Sequence, residues 1–255
     1  MFPFRCAVPV VMLAFVPTLR AEEPAERPTK DPLAVFQRSD IELRKVDRVH
    51  YEATLTRPAV EGGAKSKDKD IEGKAYAEGW DGDGPARYRY EFRLFPGGGD
   101  KPERVEMGRD GGKFYVIRHG ARTVHVGEDA SVFGLYAIPA KYFSIPEFVH
   151  PQPLADEMKS PTQQFVGVVT TSGEECDVVR AYYASGTQEV TWHFAIKDGL
   201  PRAVERLFLG PAGERSAVLV TINKLEVNPK VESASDPLEF RIPDGYTRAD
   251  GKPGS

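Results

Sequence analysis

Hydrophobic and polar residues alternate along most of this chain. Every second residue is apolar in VHYEATL (49–55), in YRYEFRL (88–94) and in TWHFAIK (191–197). Successive side chains of a β-strand point to opposite faces, so this alternation is typical of antiparallel strands with one buried and one wet face. It predicts about eleven strands, near residues 49–55, 71–79, 88–94, 103–108, 113–118, 121–126, 164–171, 176–183, 188–196, 201–209 and 215–226.

Apolar residues recur at the spacing of a long helix only near the start, in DPLAVFQRSDIELRKVDRV (31–49). Asp31 can cap a helix, and Pro32 suits its first turn, where the backbone N–H has no partner to lose. The apolar residues that recur at helical spacing are Leu33, Phe36, Leu43 and Val46. The sequence therefore predicts one long amphipathic helix before the first strand.

The segment DASVFGLYAIPAKYFSIPEFVHPQPLADEMKSP (129–161) interrupts the strands. It is too long and too apolar for a hairpin loop, and segments of this kind usually carry helices or function. It predicts short helices broken at Pro139, Pro146 and Pro151, lying on the sheet. One helix cannot cover the apolar face of so wide a sheet, so this insertion is expected to form a lid.

Turn signals separate the strands. Asp198-Gly199 lies between two alternating runs, and Asp-Gly suits a tight turn because both residues tolerate positive φ. The Gly-rich, charged stretch PAVEGGAKSKDKD (58–70) predicts a mobile loop between the first two strands.

The composition is that of a soluble globular protein, with 40% hydrophobic and 28% charged residues. A formal net charge of -4 gives no overall electrostatic reason to bind nucleic acid. These values favour a single domain, which we expect to be monomeric.

The N-terminus has the three parts of a secretory signal: Arg5, an apolar run over 6–19, and a small residue, Ala21, at the cleavage position. The run is too short to span a membrane, so we expect cleavage after residue 21, a flexible leader over 22–30, and no transmembrane segment in the mature chain. The protein is expected to be periplasmic or otherwise exported. Cleavage would leave Cys176 as the one cysteine, and its place beside two valines predicts burial.

One short motif points to catalysis. VIRHGARTV (116–124) resembles the Arg-His-Gly-x-Arg-x-Pro motif of histidine acid phosphatases, which would make His119 the nucleophile and Arg118 and Arg122 the phosphate clamps. Val124 replaces the proline, and no His-Asp dipeptide supplies the general acid. The alternation on both sides predicts a hairpin turn with Gly120 as its turn residue, so we expect no catalysis here.

The other polar residues give no site. The histidines are scattered, and Asp81 and Asp83 lack the later ligands of a calcium loop. No catalytic triad or Gly-rich phosphate loop is legible, so we predict no metal, no cofactor and no enzyme.

The order of the elements resembles the LolA-like family of bacterial periplasmic proteins, closest to the poorly characterised branch related to lipoprotein-sorting proteins. The resemblance covers residues 31–246, which we take as one domain followed by a flexible tail over 247–255. It rests on the exported N-terminus, the leading helix, DGGKFYVIRHGARTVHV, PLADEM, TWHFAIKDGLPRAVERL, and the closing Phe240, Pro243 and Gly245.

The resemblance implies an α+β fold in which a curved antiparallel sheet forms a half-open barrel, with the N-terminal helix and a helical lid on its concave side. It implies a lipid or lipoprotein acyl chain as ligand, an acylated protein or an envelope protein as partner, and no catalysis. Our candidate residues for a hydrophobic cavity are Tyr51, Leu55, Tyr88, Tyr90, Phe92, Leu94, Leu135, Phe143, Phe148, Trp192 and Phe194.

Two alternatives stay open. If the lid and the sheet form a closed core, the domain is an envelope sensor or interaction scaffold without a cavity, because interiors are normally close-packed. The third reading is the histidine-type phosphatase. Cavity volume separates the carrier from the scaffold.

Overall fold

The computed structural model of the protein describes residues 30–60, 70–95, 101–183, 188–209, 215–230 and 236–249. The predicted signal peptide, residues 22–29 of the predicted leader, most of the predicted loop over 58–70, and the tail from residue 250 lie outside these ranges. The described strands are β1 (Arg48–Thr56), β2 (Ile71–Asp81), β3 (Gly84–Leu94), β4 (Glu103–Asp110), β5 (Lys113–Arg118), β6 (Thr123–Gly127), β7 (Thr162–Thr171), β8 (Glu174–Tyr182), β9 (Gln188–Ala195), β10 (Pro201–Leu209), β11 (Arg215–Val227) and β12 (Thr247–Ala249).

All twelve described strands belong to one open sheet in the order β12-β6-β5-β4-β3-β2-β1-β11-β10-β9-β8-β7. Strand β1 pairs with both β2 and β11, so the two halves of the chain extend from it in opposite directions. Neighbouring strands are antiparallel except β12, which pairs parallel to β6. The predicted α+β fold with an open antiparallel sheet is confirmed, and β12 is a strand that we did not predict, within a stretch we had assigned to the tail.

Helix α1 (Pro32–Leu43) begins as predicted, because the Asp31 side chain accepts a hydrogen bond from the backbone N–H of Leu33. It ends at Leu43, so the predicted extension to residue 49 is wrong. The chain enters β1 at Arg48, and β1 pairs with β2 and β11. This pairing ends the helix although Val46 continues the helical spacing of apolar residues, because tertiary contacts override local propensity.

The lid follows β6 and crosses the concave face. It consists of a 3-10 helix (Ala130–Tyr136), α2 (Ala137–Phe143), a single 3-10 turn (Pro146–Phe148) and α3 (Ala155–Lys159). Pro139 does not break a helix as predicted, because it lies in the first turn of α2, where its missing N–H removes no bond. The kink is at Gly134, where φ is 53°.

The C-terminal segment 236–249, which we call the strap, lies on the convex side. Phe240 stacks on Tyr115 with ring centroids 4.4 Å apart, and Leu238 is buried.

Cys176 in β8 is buried, as predicted, and burial raises the pKa of its thiol.

The predicted turn at Asp198-Gly199 joins β9 and β10, and Gly199 has a φ of 72°. Among the residues that the structure describes, no helix is both long enough and apolar enough to cross a bilayer.

Candidate functional site

Strand β2 forms a channel floor along the concave face. After Ile71, its inward positions carry almost no side chain: Gly73, Ala75 and Ala77 alternate with polar residues. Ala75 is paired with Tyr51 of β1 on one side and with Tyr90 of β3 on the other. Because large aromatic residues flank small ones, the sheet surface has a groove that runs along β2.

Phe143, the last residue of α2, fills this groove. Its ring centroid lies 6.0 Å from that of Tyr51 and 5.0 Å from that of Phe92, which it meets edge-on. A Cβ atom at Gly73 would lie 3.1 Å from the tip of the Phe143 ring and 2.5 Å from the carbonyl oxygen of Glu91. The contact with the backbone carbonyl requires glycine at this position, and the ring lies directly against it.

Hydroxyl groups of the channel wall hold the lid backbone beside this ring. Tyr51 donates to the carbonyl of Phe143 at 3.1 Å and accepts from the backbone N–H of Ile145 at 3.1 Å. The hydroxyl of Tyr90 lies 2.7 Å from Oγ of Ser144. Burial raises the pKa of Tyr51 well above its usual value and that of Tyr90 to about 12, so both hydroxyls keep their protons.

A buried carboxyl group attaches the other end of the lid. Oε1 of Glu157 in α3 accepts hydrogen bonds from the Tyr183 hydroxyl at 3.1 Å and from Nε1 of Trp192 at 3.2 Å. Burial raises the pKa of Glu157 to about 7, and Glu147 adds to the rise, while these hydrogen bonds oppose it. The attachment therefore contains a group that titrates near neutral pH.

The structure places most of our candidate residues together. Tyr51, Leu55, Tyr90, Phe92, Leu94, Phe143, Phe148, Trp192 and Phe194 belong to one buried core, and Tyr88 packs against it half-buried. Leu135 does not, and the prediction that it faces inward is wrong: its side chain is 54% exposed. The positive φ of Gly134 reverses the chain just before it and turns Phe133 and Tyr136 inward instead.

The concave face is packed in this form. Surface clefts of about 200, 220 and 400 Å³ lie elsewhere on the described part of the chain, and none of the candidate residues lines them. Phe143 and Phe148 are completely buried. The channel is thus a groove filled by protein atoms.

The sequence analysis missed the floor and the attachment of the lid. The signal for the floor was present in IEGKAYAEG (71–79), where glycine and alanine take the inward positions after Ile71, and Ala75 is paired with large residues on both sides. Glu157 gave no such signal, because an acidic residue in a short helix normally faces water.

The RHGAR segment connects β5 and β6, as predicted. Gly120 lies in this turn, as predicted, and the residue with positive φ is Arg122 at 52°. Nε2 of His119 lies 2.6 Å from Oε1 of Glu106, and Nδ1 lies 2.7 Å from the Tyr246 hydroxyl of the strap. The His119 ring thus connects the sheet, through Glu106 of β4, to the strap, through Tyr246.

Among the described residues, no group of three or more His, Cys, Asp or Glu side chains is placed to hold a metal ion.

No protein-family model and no curated protein sequence matches the chain. Solved structures that resemble it include MucB, with a TM-score of 0.49 and 14% identity over 83% of this chain and 63% of MucB. LprF from Mycobacterium bovis has a TM-score of 0.47 and 9% identity over 86% of this chain and 100% of LprF. An uncharacterized conserved protein from Thermus thermophilus has a TM-score of 0.44 and 9% identity over 86% of this chain and 98% of that protein.

MucB has also been solved in complex with MucA. The chain spans less than two thirds of the length of MucB. With TM-scores below 0.5, these likenesses carry no conclusion about function.

Proposed function

We propose that the protein binds an acyl chain, from a lipid or an acylated protein, in the groove along β2 after the lid withdraws Phe143. The observation that carries this proposal is the position of the Phe143 ring on a floor without side chains. A strand that is small at the successive inward positions from Gly73 to Ala77 leaves a slot in the sheet, and the lid fills that slot with one apolar group. An alkyl chain is the ligand class that replaces such a group most directly.

The lid is built to separate from the sheet. Its two α-helices have seven and five residues, and helices of this length are not stable alone in water. Their order therefore depends on docking to the concave face. A lid of this kind loses its helices when it leaves the sheet, so undocking and local unfolding occur together.

The energies favour exchange of the ring for a chain. Exposing a buried phenylalanine costs about 1.5–3 kcal/mol, whereas each buried CH₂ contributes about 0.8 kcal/mol. Ten methylenes would give about 8 kcal/mol before the cost of association, which exceeds the loss of one ring. A ligand long enough to follow β2 thus offsets the exposure of the Phe143 ring, and the remainder acts against the costs of association and of undocking the rest of the lid.

We also propose, from the apolar run over 6–19, that the protein is exported and works without catalysis as a carrier. The competing proposal is an interaction scaffold, and the complete burial of Phe143 and Phe148 favours it. The two differ in one property: a carrier shows saturable acyl binding, and a scaffold does not.

Titration with a dansyl-labelled fatty acid tests this difference. Ala75→Leu fills the floor of the groove and is expected to weaken binding at least about tenfold. Ala181→Leu is the matched control, since Ala181 is equally buried in the same core but lies on β8, away from the groove. Both changes overpack the core by about 1–3 kcal/mol, so a difference in binding reports the groove. Equal affinities of the two variants, or no saturable signal with the wild-type protein, would contradict the proposal.

A further inference from the structure

Arg206 is an arginine on the concave, apolar face of the sheet. It lies on β10 two residues after Val204, which is part of the core, and its side chain is only 13% exposed. Its Nη1 atom is buried and has no hydrogen-bond partner among the described residues. Burying a guanidinium group is costly unless its donors are paired, so a fold that keeps one here needs a reason.

The acid that faces Arg206 is Glu147 of the lid, and the two are poorly matched. Nη2 of Arg206 lies 3.7 Å from Oε1 of Glu147, longer than a hydrogen bond. Oε2 of Glu147 is buried and likewise has no hydrogen-bond partner in the described part of the chain. A guanidinium fork normally binds a carboxylate or phosphate with two short parallel bonds, and this geometry leaves that capacity unused.

This pair lies next to the groove. Phe148, the neighbour of Glu147, packs on Tyr51 with ring centroids 5.7 Å apart. Both Arg206 and Glu147 are close enough to Tyr51 for their charges to act on the pKa of its hydroxyl, in opposite directions. The other titratable groups near the pair in the described part of the chain are Tyr90, Glu157 and the Tyr183 hydroxyl that donates to Glu157.

The lid segment 143–147 therefore places two groups on the sheet, an apolar ring in the groove and a carboxylate opposite Arg206. We propose that this segment occupies the site of an anionic amphiphile, and that Arg206 binds the ligand's carboxylate or phosphate head group once Glu147 leaves with the lid. This inference rests on the proposed function. It adds that the ligand carries an anionic group beside its acyl chain, and it gives the unpaired guanidinium a partner.

Affinities for dodecanoate, dodecyl phosphate and dodecanol, measured by calorimetry below their micelle and solubility limits, test the inference. The wild-type protein is expected to bind the two anions at least tenfold tighter than the alcohol. Arg206→Met, which keeps the length of the side chain, is expected to abolish this preference. Arg180→Met is the control, because Arg180 is paired with Glu189 at 2.8 Å on the other face of β8, and it should leave the preference unchanged.

Glu147→Gln provides a second test that does not touch the sheet. It removes the competing carboxylate, so the ratio of dodecanoate to dodecanol affinity should rise several-fold, and this result decides the matter if Arg206→Met does not fold. Acetate and inorganic phosphate, measured alone, distinguish a lipid head group from a free anion.

The inference is overturned if the preference survives in Arg206→Met, if the ratio does not rise in Glu147→Gln, or if the free anions bind as tightly as the amphiphiles. Equal binding of dodecanol and dodecanoate by the wild-type protein would contradict the head-group site at Arg206, but it would still agree with acyl binding in the groove. Failure of all three amphiphiles to bind would contradict the proposed function itself.

Discussion

Replacing Phe143 by alanine is expected to destabilise the protein and to strengthen acyl binding at the same time. Loss of a fully buried phenylalanine lowers the free energy of unfolding by about 3–5 kcal/mol. The same change empties the groove, so the ligand no longer has to expel a ring whose exposure costs about 1.5–3 kcal/mol. Affinity for dodecanoate should therefore rise about tenfold to a hundredfold. Urea unfolding and calorimetric titration measure the two effects.

Phe36→Ala is the matched control for this variant. Phe36 in α1 is also completely buried and meets Phe194 edge-on, with ring centroids 6.1 Å apart. Its loss should destabilise the protein by a similar amount without changing the affinity for dodecanoate. If the two variants gain affinity equally, the gain reflects a loosened core and the role given to Phe143 is wrong.

Glu157→Gln is expected to remove a pH dependence of stability. Burial raises the pKa of Glu157 from 4.5 to about 7, so the folded state holds this proton more tightly than the unfolded chain does. The contribution of this group is complete below about pH 4.5, falls as the pH rises through about 7, and is then lost. The integrated change is about 3 kcal/mol, an order-of-magnitude figure for a residue that is 5% exposed.

Glutamine keeps an oxygen that accepts from Tyr183 and Trp192, and it has no charge to bury. The variant should therefore be more stable than the wild-type protein at pH 8, and the two should differ little at pH 5. Asp156→Asn is the control, since Asp156 is the exposed neighbour in the same helix and should leave the wild-type profile unchanged. Unfolding should be followed by circular dichroism at each pH. A wild-type profile retained in Glu157→Gln would contradict the assignment.

The strands and their faces were predictable because period-two alternation has a direct geometric cause. Tyr51 and Phe92 face the core for the same reason that their neighbours face water. Strand β12 escaped prediction because three residues are too few to show a period, and its pairing with β6 is set by the strap. Leu135 was misplaced because its direction depends on the backbone of one glycine, which composition does not reveal.

The groove was harder to predict than the sheet. Glycine and alanine are weak strand formers, so Gly73 and Ala75 suggested a poor strand when each was considered alone. Their meaning depends on pairing with Tyr51 and Phe92, which are distant in sequence or lie across a loop. The burial of Glu157 likewise depends on Trp192, a partner 35 residues further along the chain.

A crystal structure of the protein with a dodecanoate brominated at its terminal carbon tests the central claim most directly, because the anomalous signal locates the chain. We expect the chain along β2, between Tyr51 and Phe92, with the Phe143 ring withdrawn from its contact with Gly73. A chain bound anywhere else, with the Phe143 ring still on Gly73, would contradict the acyl groove.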